Sequence, residues 1–503
     1  MRLFRMNFYQ ARMRLVQAGA VFSAVALVAG CGNNYRPVIT PINPTGPAPQ
    51  PSSYAVVVSA PSPTTSGIAT IIDYAGDSVM AQASVGLGPT TFSVDSTGTA
   101  AYTINRDHTL TNFPVTSNLQ EKNITYTTLP STANLVNLLS LSNGLWAADL
   151  DGDIADVFTG SPQTFLRSIP LAPTPVMIIG ATTNLQRAFG ISQGNVSDYM
   201  ACNLSPTTAP LGEAEGIETS SDTISSHITL GRCPVFAVQS SDAKRLFVLN
   251  RGDDTITVIN IQNNTLDTCS GLVNQVGQPV TCHPTLPLST TAVNALNKAN
   301  PGSGNPPNGT TGMTNVAGPV YAEYNSATNQ LVVANYDGGT VSVIDVSLDA
   351  YGNDSATFGT TYTISVGKNP ASVTVLNDGS RAYTANQADG TVTVVNLSSH
   401  TAVKTLTVTG YPRTVVSTQN STQGKVYVAS PNSPYLTIIR TDQDIVDTTV
   451  LVVGNIVDVR VSTQNAVNGN SNTLSRIPGL GQPCNLPPPY AANYTLDDCR
   501  KQP

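Results

Sequence analysis

LFVLNRGDDTITVINI (Leu246–Ile261), LVVANYDGGTVSVIDV (Leu331–Val346) and AYTANQADGTVTVVNL (Ala382–Leu397) are three copies of one sixteen-residue pattern. Each runs an apolar strand into an Asn, passes through a Gly/Asp turn, and leaves on Thr into a second alternating strand. Short β-rich segments bounded by turn clusters are the expected signature of an all-β protein. Recurrence of one strand–turn–strand unit at a spacing of forty residues or more predicts a ring of repeats, the β-propeller.

The same frame extends outward. Ala100–Val115, Leu145–Gly160, Ala188–Asn203 and Val426–Thr441 fit it more loosely, and an eighth unit begins at Tyr54 with YAVVVSA and IATIIDY. Residues 370–410 supply a whole unit of four strands: ASVTV, RAYTAN, TVTVVNL and AVKTLTVTG. Four antiparallel strands per unit is a propeller blade. The first unit starts at its second strand, and a surplus strand remains at Asn455–Ser462. That strand is expected to complete the first blade and close the ring, which removes open sheet edges. The count is eight blades, with seven as the alternative. Only 289–298 reads as a short helix.

The domain plan has four parts. Residues 1–30 read as a signal peptide: Arg2, Arg5, Arg12 and Arg14 precede the apolar run Ala18–Leu27, which is too short to span a bilayer. It ends in Leu27-Val28-Ala29-Gly30-Cys31, a lipobox in which small residues precede the cysteine that would take the diacylglycerol. Residues 31–53 form a spacer with prolines at 37, 41, 44, 47, 49 and 51, an extended tether. Residues 54–463 form the propeller, interrupted at 200–232 and 265–318, and 464–503 are a tail. An acylated Cys31 makes the bilayer a partner, and Gly32 after it favours the outer membrane, facing either periplasm or exterior. Several acyl chains on one residue anchor firmly where one holds marginally.

Charged residues are 11 % of the chain, against about 25 % in an average soluble protein. Removing the four arginines of residues 1–30 takes the net charge from −7 to −11. No basic stripe argues for nucleic acid. Seven cysteines less the lipidated Cys31 leave six, falling as neighbours: Cys202 with Cys233, Cys269 with Cys282, Cys484 with Cys499. Proximity favours those three disulfides in an oxidising compartment, although six cysteines allow fifteen connectivities. Metal ligation is the weaker alternative, because there is no C-x-x-C and His108, His227, His283 and His400 are scattered.

The segments quoted above, with the following VGKNP and TGYPR, resemble the YVTN-type β-propeller repeat family. The resemblance is good over about 234–454 and degenerate over 54–232. It implies a propeller in an extracytoplasmic setting, among relatives that include surface-layer proteins and lactonase-like enzymes. It carries over no catalytic residue.

Chemical motifs are sparse. There is no Walker loop, G-x-S-x-G elbow, H-E-x-x-H pair or EF-hand loop. Asp149, Asp151 and Asp153 cluster, and Arg251-Gly252-Asp253 spells an adhesion tripeptide, but both lie in the repeat's own turn. Trp146 is expected to pack between blades. No cofactor, metal or catalytic residue is assigned. The expected role is a monomeric, non-enzymatic, lipid-anchored scaffold that binds an envelope protein or glycan through loops or channel. The alternatives are a lactonase-like or other hydrolytic enzyme, which would need titratable groups converging at the channel, and a structural surface-layer-type component.

Overall fold

A computed structural model describes residues 53–141, 144–180, 186–195, 208–268, 282–301, 305–418 and 424–462. These residues form eight antiparallel sheets, each with at least four strands. Seven of the sheets use strands that follow one another in the chain. The eighth combines Tyr54–Ala60, Ser66–Asp73 and Val79–Leu87 with Asn455–Val461 from the far end. This is blade 1, and the closing strand is its innermost. Val57 pairs with Val459 and Ala55 with Val461, and the backbones of Tyr54 and Ser462 bond beyond them at 2.9 Å. The eight-bladed count and the closure by Asn455–Val461 are therefore as the repeat predicts.

The remaining blades begin at Pro89, Leu135, Pro175, Pro234, Pro319, Pro370 and Thr414 and are numbered 2 to 8. Their inner and middle strands are buried almost throughout, as in Pro370–Val375 and Arg381–Asn386 of blade 7. Outer strands such as Thr401–Thr407 keep one buried residue. Val and Ile on alternate positions pack blade against blade, so the core is a band running round the ring and not a single central cluster.

The repeat's side chains have specific structural jobs. The turn between the second and third strands ends in a left-handed residue: His108, Asp153 and Asp254 at φ 53–54°, and Gly339 and Gly390 at 62° and 64°. Gly and Asp tolerate that conformation better than most residues, which explains the turn composition. The repeat Asn then ties the hairpin together. Asn386 Nδ2 donates to Thr391 Oγ1 at 3.1 Å and to Thr393 Oγ1 at 2.8 Å. Asn250 reaches Thr255 and Thr257, and Asn335 reaches Thr340 and Ser342, at 2.8–3.2 Å. Asn105 does the same with Thr109 and Thr111.

A glycine in the preceding blade makes room for this clamp. A Cβ on Gly367 would stand 2.6–2.7 Å from the side chain of Asn386, and one on Gly231 2.7–2.8 Å from that of Asn250. Gly86 stands in the same relation to Asn105. The VG of VGKNP is thus an inter-blade contact. In blades 8 and 1 a serine takes the Asn position and donates back to the preceding blade. Ser430 Oγ reaches Thr409 O at 2.6 Å and Ser59 Oγ reaches Val453 O at 2.8 Å.

Two sequence expectations are corrected. The unit read over Ala188–Asn203 holds for its first strand, Arg187–Ser192, which pairs with Leu211–Glu218, so the stretch read as an interruption at 200–232 supplies the third and fourth strands of blade 4. The reading failed because the third strand, LGEAEGIE, lacks the Thr and the Val/Ile alternation of the other copies. The insertion at 265–318, read as a Gly/Pro/Asn-rich loop, contains ordered structure. Thr265–Leu266 starts the outer edge of blade 5, and Thr285–Pro287 completes it by pairing with Thr255–Thr257. A helix then spans Thr290–Ala299, close to the 289–298 expected; Ser289 caps it by accepting from Ala292 N–H at 3.1 Å. Thr311 finally bridges to the outer strand of blade 6, bonding Thr361 and Thr363 at 2.9 and 3.0 Å.

Candidate functional site

The channel is lined by the innermost strands, whose pairing registers put two residues per blade at equivalent positions. In blades 4 and 5 these are Met177 and Ile179, then Phe236 and Val238. In blades 6, 7 and 1 they are Tyr321 and Glu323, Ser372 and Thr374, then Asp458 and Arg460. Blades 4 and 5 therefore place apolar side chains at these positions, whereas blades 7 and 1 place polar or charged ones and blade 6 a tyrosine and a glutamate. These side chains also lock neighbouring inner strands together. Glu323 accepts from Val375 N–H at 2.7 Å, Thr374 from Ser417 N–H at 3.1 Å, and Met177 Sδ from Ala237 N–H at 3.3 Å.

Charged groups converge across the channel axis. Burial and the charges of Glu323 and Asp458, opposed by Arg460, push the Tyr321 hydroxyl well above its ordinary range. Tyr321 belongs to blade 6 while Asp458 and Arg460 belong to blade 1, so the charges of one inner strand are felt at another across the ring. Tyr321 also packs on Phe236 with ring centroids 4.6 Å apart. Arg460 donates to Asp458 at 2.8 Å, and its Nε has no hydrogen-bond partner. Tyr321, Glu323, Asp458 and Arg460 are each 1–3 % exposed. A buried ion pair of this kind is costly to desolvate and costlier still to break. Asp458 and Arg460 help hold the closing strand in register, since a one-residue slip would turn their charges into the apolar layer between blades.

Two further clusters carry metal-ligating atoms: Glu213, Glu215 and His227, and Asp267, Cys282 and Asp354. In the second, a cation is already supplied by the protein. Arg245 Nε donates to Asp267 at 2.8 Å, and its Nη2 lies 3.8 Å from Asp354. His283 adds its backbone N–H and its Nδ1 to Asp354 Oδ2 at 2.9 and 3.0 Å. Burial, and then the neighbouring charge of Asp354, push the Asp267 carboxyl up to about 6 against the pull of Arg245. This buried cluster fastens the blade 5 insertion to the 347–359 excursion of blade 6.

The first cluster lies on one face of the two outer strands of blade 4. Glu215 pairs directly with His227 across the strands, and Glu213 is two residues along on the same face. His227 Nδ1 is 2.5 Å from Glu213 Oε1 and 3.6 Å from Glu215 Oε1. Glu215 is 3 % exposed, whereas the His227 side chain is 65 % exposed. The other oxygen of Glu215 accepts from Ala172 N–H at 2.6 Å. Burial raises the Glu215 carboxyl, that hydrogen bond lowers it, and Glu213 raises it again.

The tempting sequence motifs are absorbed by the fold. Arg251 is 6 % exposed and binds Asp337 through Nε and Nη2 at 2.9 and 2.8 Å, beneath Tyr336. Asp253 accepts from Arg232 N–H at 2.6 Å, so the Arg-Gly-Asp tripeptide is a structural turn. Asp149 accepts from Asn134 and Gly152 N–H groups and Asp153 from Thr174 N–H. Trp146 is fully buried in blade 3. Of the cysteines, Cys233 is buried and Cys282 half-buried. Cys31, Cys202, Cys269, Cys484 and Cys499 lie outside the described residues, as do the signal peptide, the spacer to Ser52 and the tail.

Sequence reasoning missed Tyr321, Glu323, Asp458, Arg460, Glu213 and Glu215. A signal was available: charged residues at i and i+2 in strands that are otherwise apolar, as in VDVRV and GEAEG, and a lone Glu between tyrosines in YAEY.

No protein-family model matches the chain, and no curated protein matches it. Solved structures do. AztD from Citrobacter koseri superposes with a TM-score of 0.51 at 11 % identity, covering 81 % of this chain and 97 % of that one. The dihydro-heme d1 dehydrogenase NirN in complex with DHE superposes with a TM-score of 0.55 at 13 % identity, covering 84 % and 79 %. A putative 6-phosphogluconolactonase from Bacteroides fragilis reaches 0.49 at 14 % identity, covering 83 % and 99 %. At these identities the likeness to the first two shows a β-propeller and nothing finer.

Proposed function

We propose that the chain is a lipid-anchored cell-envelope propeller that binds a protein or glycan partner through the segments interrupting its blades. The observation that carries this reading is the blade 5 insertion. Its described residues are fastened to two blades, yet its helix Thr290–Ala299 buries only Ala292. A rigid scaffold presenting an ordered, solvent-facing element is how loops on stable folds commonly achieve recognition. Within this reading Cys31 carries the acyl chains in the outer membrane, and Cys202–Cys233, Cys269–Cys282 and Cys484–Cys499 are disulfides. The acidic mature chain has no nucleic-acid partner.

The test compares envelope pull-downs by the wild type and by a chain in which 290–300 is replaced by a short Gly/Ser linker. Edge strand Thr285–Pro287 stays in place, so the scaffold is kept. Loss of specific partners supports the reading, and an identical set refutes it for this element. Fatty-acid labelling that is abolished in Cys31→Ala supports the anchor, and equal labelling refutes it.

The hydrolytic reading is favoured by one observation, the convergence of Tyr321, Glu323, Asp458 and Arg460 on the channel. Against it stands their burial, at 1–3 % exposure each. Lactone hydrolysis by the wild type that is lost in Glu323→Gln would establish it over the binding reading.

A further inference from the structure

We propose that Glu213, Glu215 and His227 form a binding site for a first-row divalent cation of the zinc type. The cluster is composed of two carboxylates and an imidazole, the oxygen-and-nitrogen donor set such ions accept. All three ligand atoms lie within 4.8 Å of one another. A tetrahedral ion with bonds of about 2.0–2.2 Å needs its ligands spaced by about 3.3–3.5 Å. The Glu215–His227 pair, at 3.6 Å, is near that spacing, and the Glu213–His227 pair, at 2.5 Å, must open slightly. Glu213 and His227 are the more exposed members and have room to do so.

Charge supplies the driving force. Glu215 is buried beside a second carboxylate, and among the described residues no Lys or Arg makes an ion pair with either. A single N–H, from Ala172, serves the buried carboxylate. Contrast the cluster of Asp267 and Asp354, where Arg245 occupies the cationic position. A neutral imidazole can turn its Nδ1 lone pair to the ion while Nε2–H faces solvent. The rigid strand pair fixes Glu215 and His227 opposite each other, and the exposed side leaves a fourth coordination position open. That position takes water or a donor atom from a partner. The site sits on blade 4, so its occupancy is independent of the partner reading for the blade 5 insertion.

The experiment is zinc titration of the mature chain in detergent by calorimetry and by competition with a chromogenic chelator. His227→Ala is conservative for folding because its side chain is 65 % exposed, and Glu215→Gln keeps the oxygen that accepts from Ala172. Saturable binding in the wild type, weakened by about tenfold or more in both variants and unchanged in Asp267→Asn, supports the site. Melting temperatures of the two variants verify that the blade is intact. Absence of saturable zinc binding overturns the proposal. So does affinity that is retained in either His227→Ala or Glu215→Gln, or that falls in Asp267→Asn.

Discussion

Blades 7 and 4 have the same four-strand topology but use their polar side chains differently. In blade 7 the repeat is strict: Asn386 is spent on Thr391 and Thr393, Gly367 of the blade before makes space for it, and Asp389 accepts from Lys368 N–H at 2.7 Å. In blade 4 the Asn position is Ser192, whose buried Oγ has no hydrogen-bond partner, and the third strand carries Glu213 and Glu215. Where the repeat is kept, as in blade 7, polarity ties the blade's hairpin together. Where it lapses in blade 4, polar groups are left for other chemistry.

The harshest way to break this comparison is to remove what both blades depend on. Deleting 455–463 strips blade 1 of its inner strand and removes Asp458 and Arg460 from the channel. It is expected to give the largest fall in melting temperature of any change considered, across every blade at once; unchanged melting would refute ring closure. Next comes Gly367→Ala. Its Cβ would meet Asn386 at 2.6–2.7 Å, and overpacking of that kind costs about 1–3 kcal/mol. Denaturant midpoints should show the loss, and pairing with Asn386→Ala should relieve part of it.

A gentler probe uses the Asp267 carboxyl, pushed up to about 6 by burial and the neighbouring Asp354. The folded protein holds this proton where the unfolded chain, with an ordinary value near about 4, has released it. Stability from this group is therefore full below about pH 4 and is lost as pH rises through about 6. Asp267→Asn mimics the protonated form and should flatten that part of the profile relative to wild type. Parallel profiles would contradict the assignment.

How much was legible in the sequence follows the same division. Leu246–Ile261, Leu331–Val346 and Ala382–Leu397 revealed blades because their Asn, Gly/Asp and Thr serve local bonds within a few residues. The closing strand was legible because one strand was missing at Tyr54 and one was left over at Asn455. The third strand of blade 4 was not, since its pairing is set by a neighbour some twenty residues away and its residues break the pattern. The channel group was hidden for a related reason. Arg460 acts on Tyr321 only because eight sheets are arranged in a ring, and nothing local in either strand encodes that influence.

The claim that repeat polarity is what ties each strict blade together is tested most directly by a double-mutant cycle between Asn386 and Thr393, measured by denaturant unfolding. The account predicts that each single alanine variant loses about 1–3 kcal/mol and that the pair is coupled by about 0.5–1.5 kcal/mol, whereas Ser192→Ala in blade 4 costs little. Additive effects at Asn386 and Thr393, or a Ser192→Ala loss as large as that of Asn386→Ala, would contradict it.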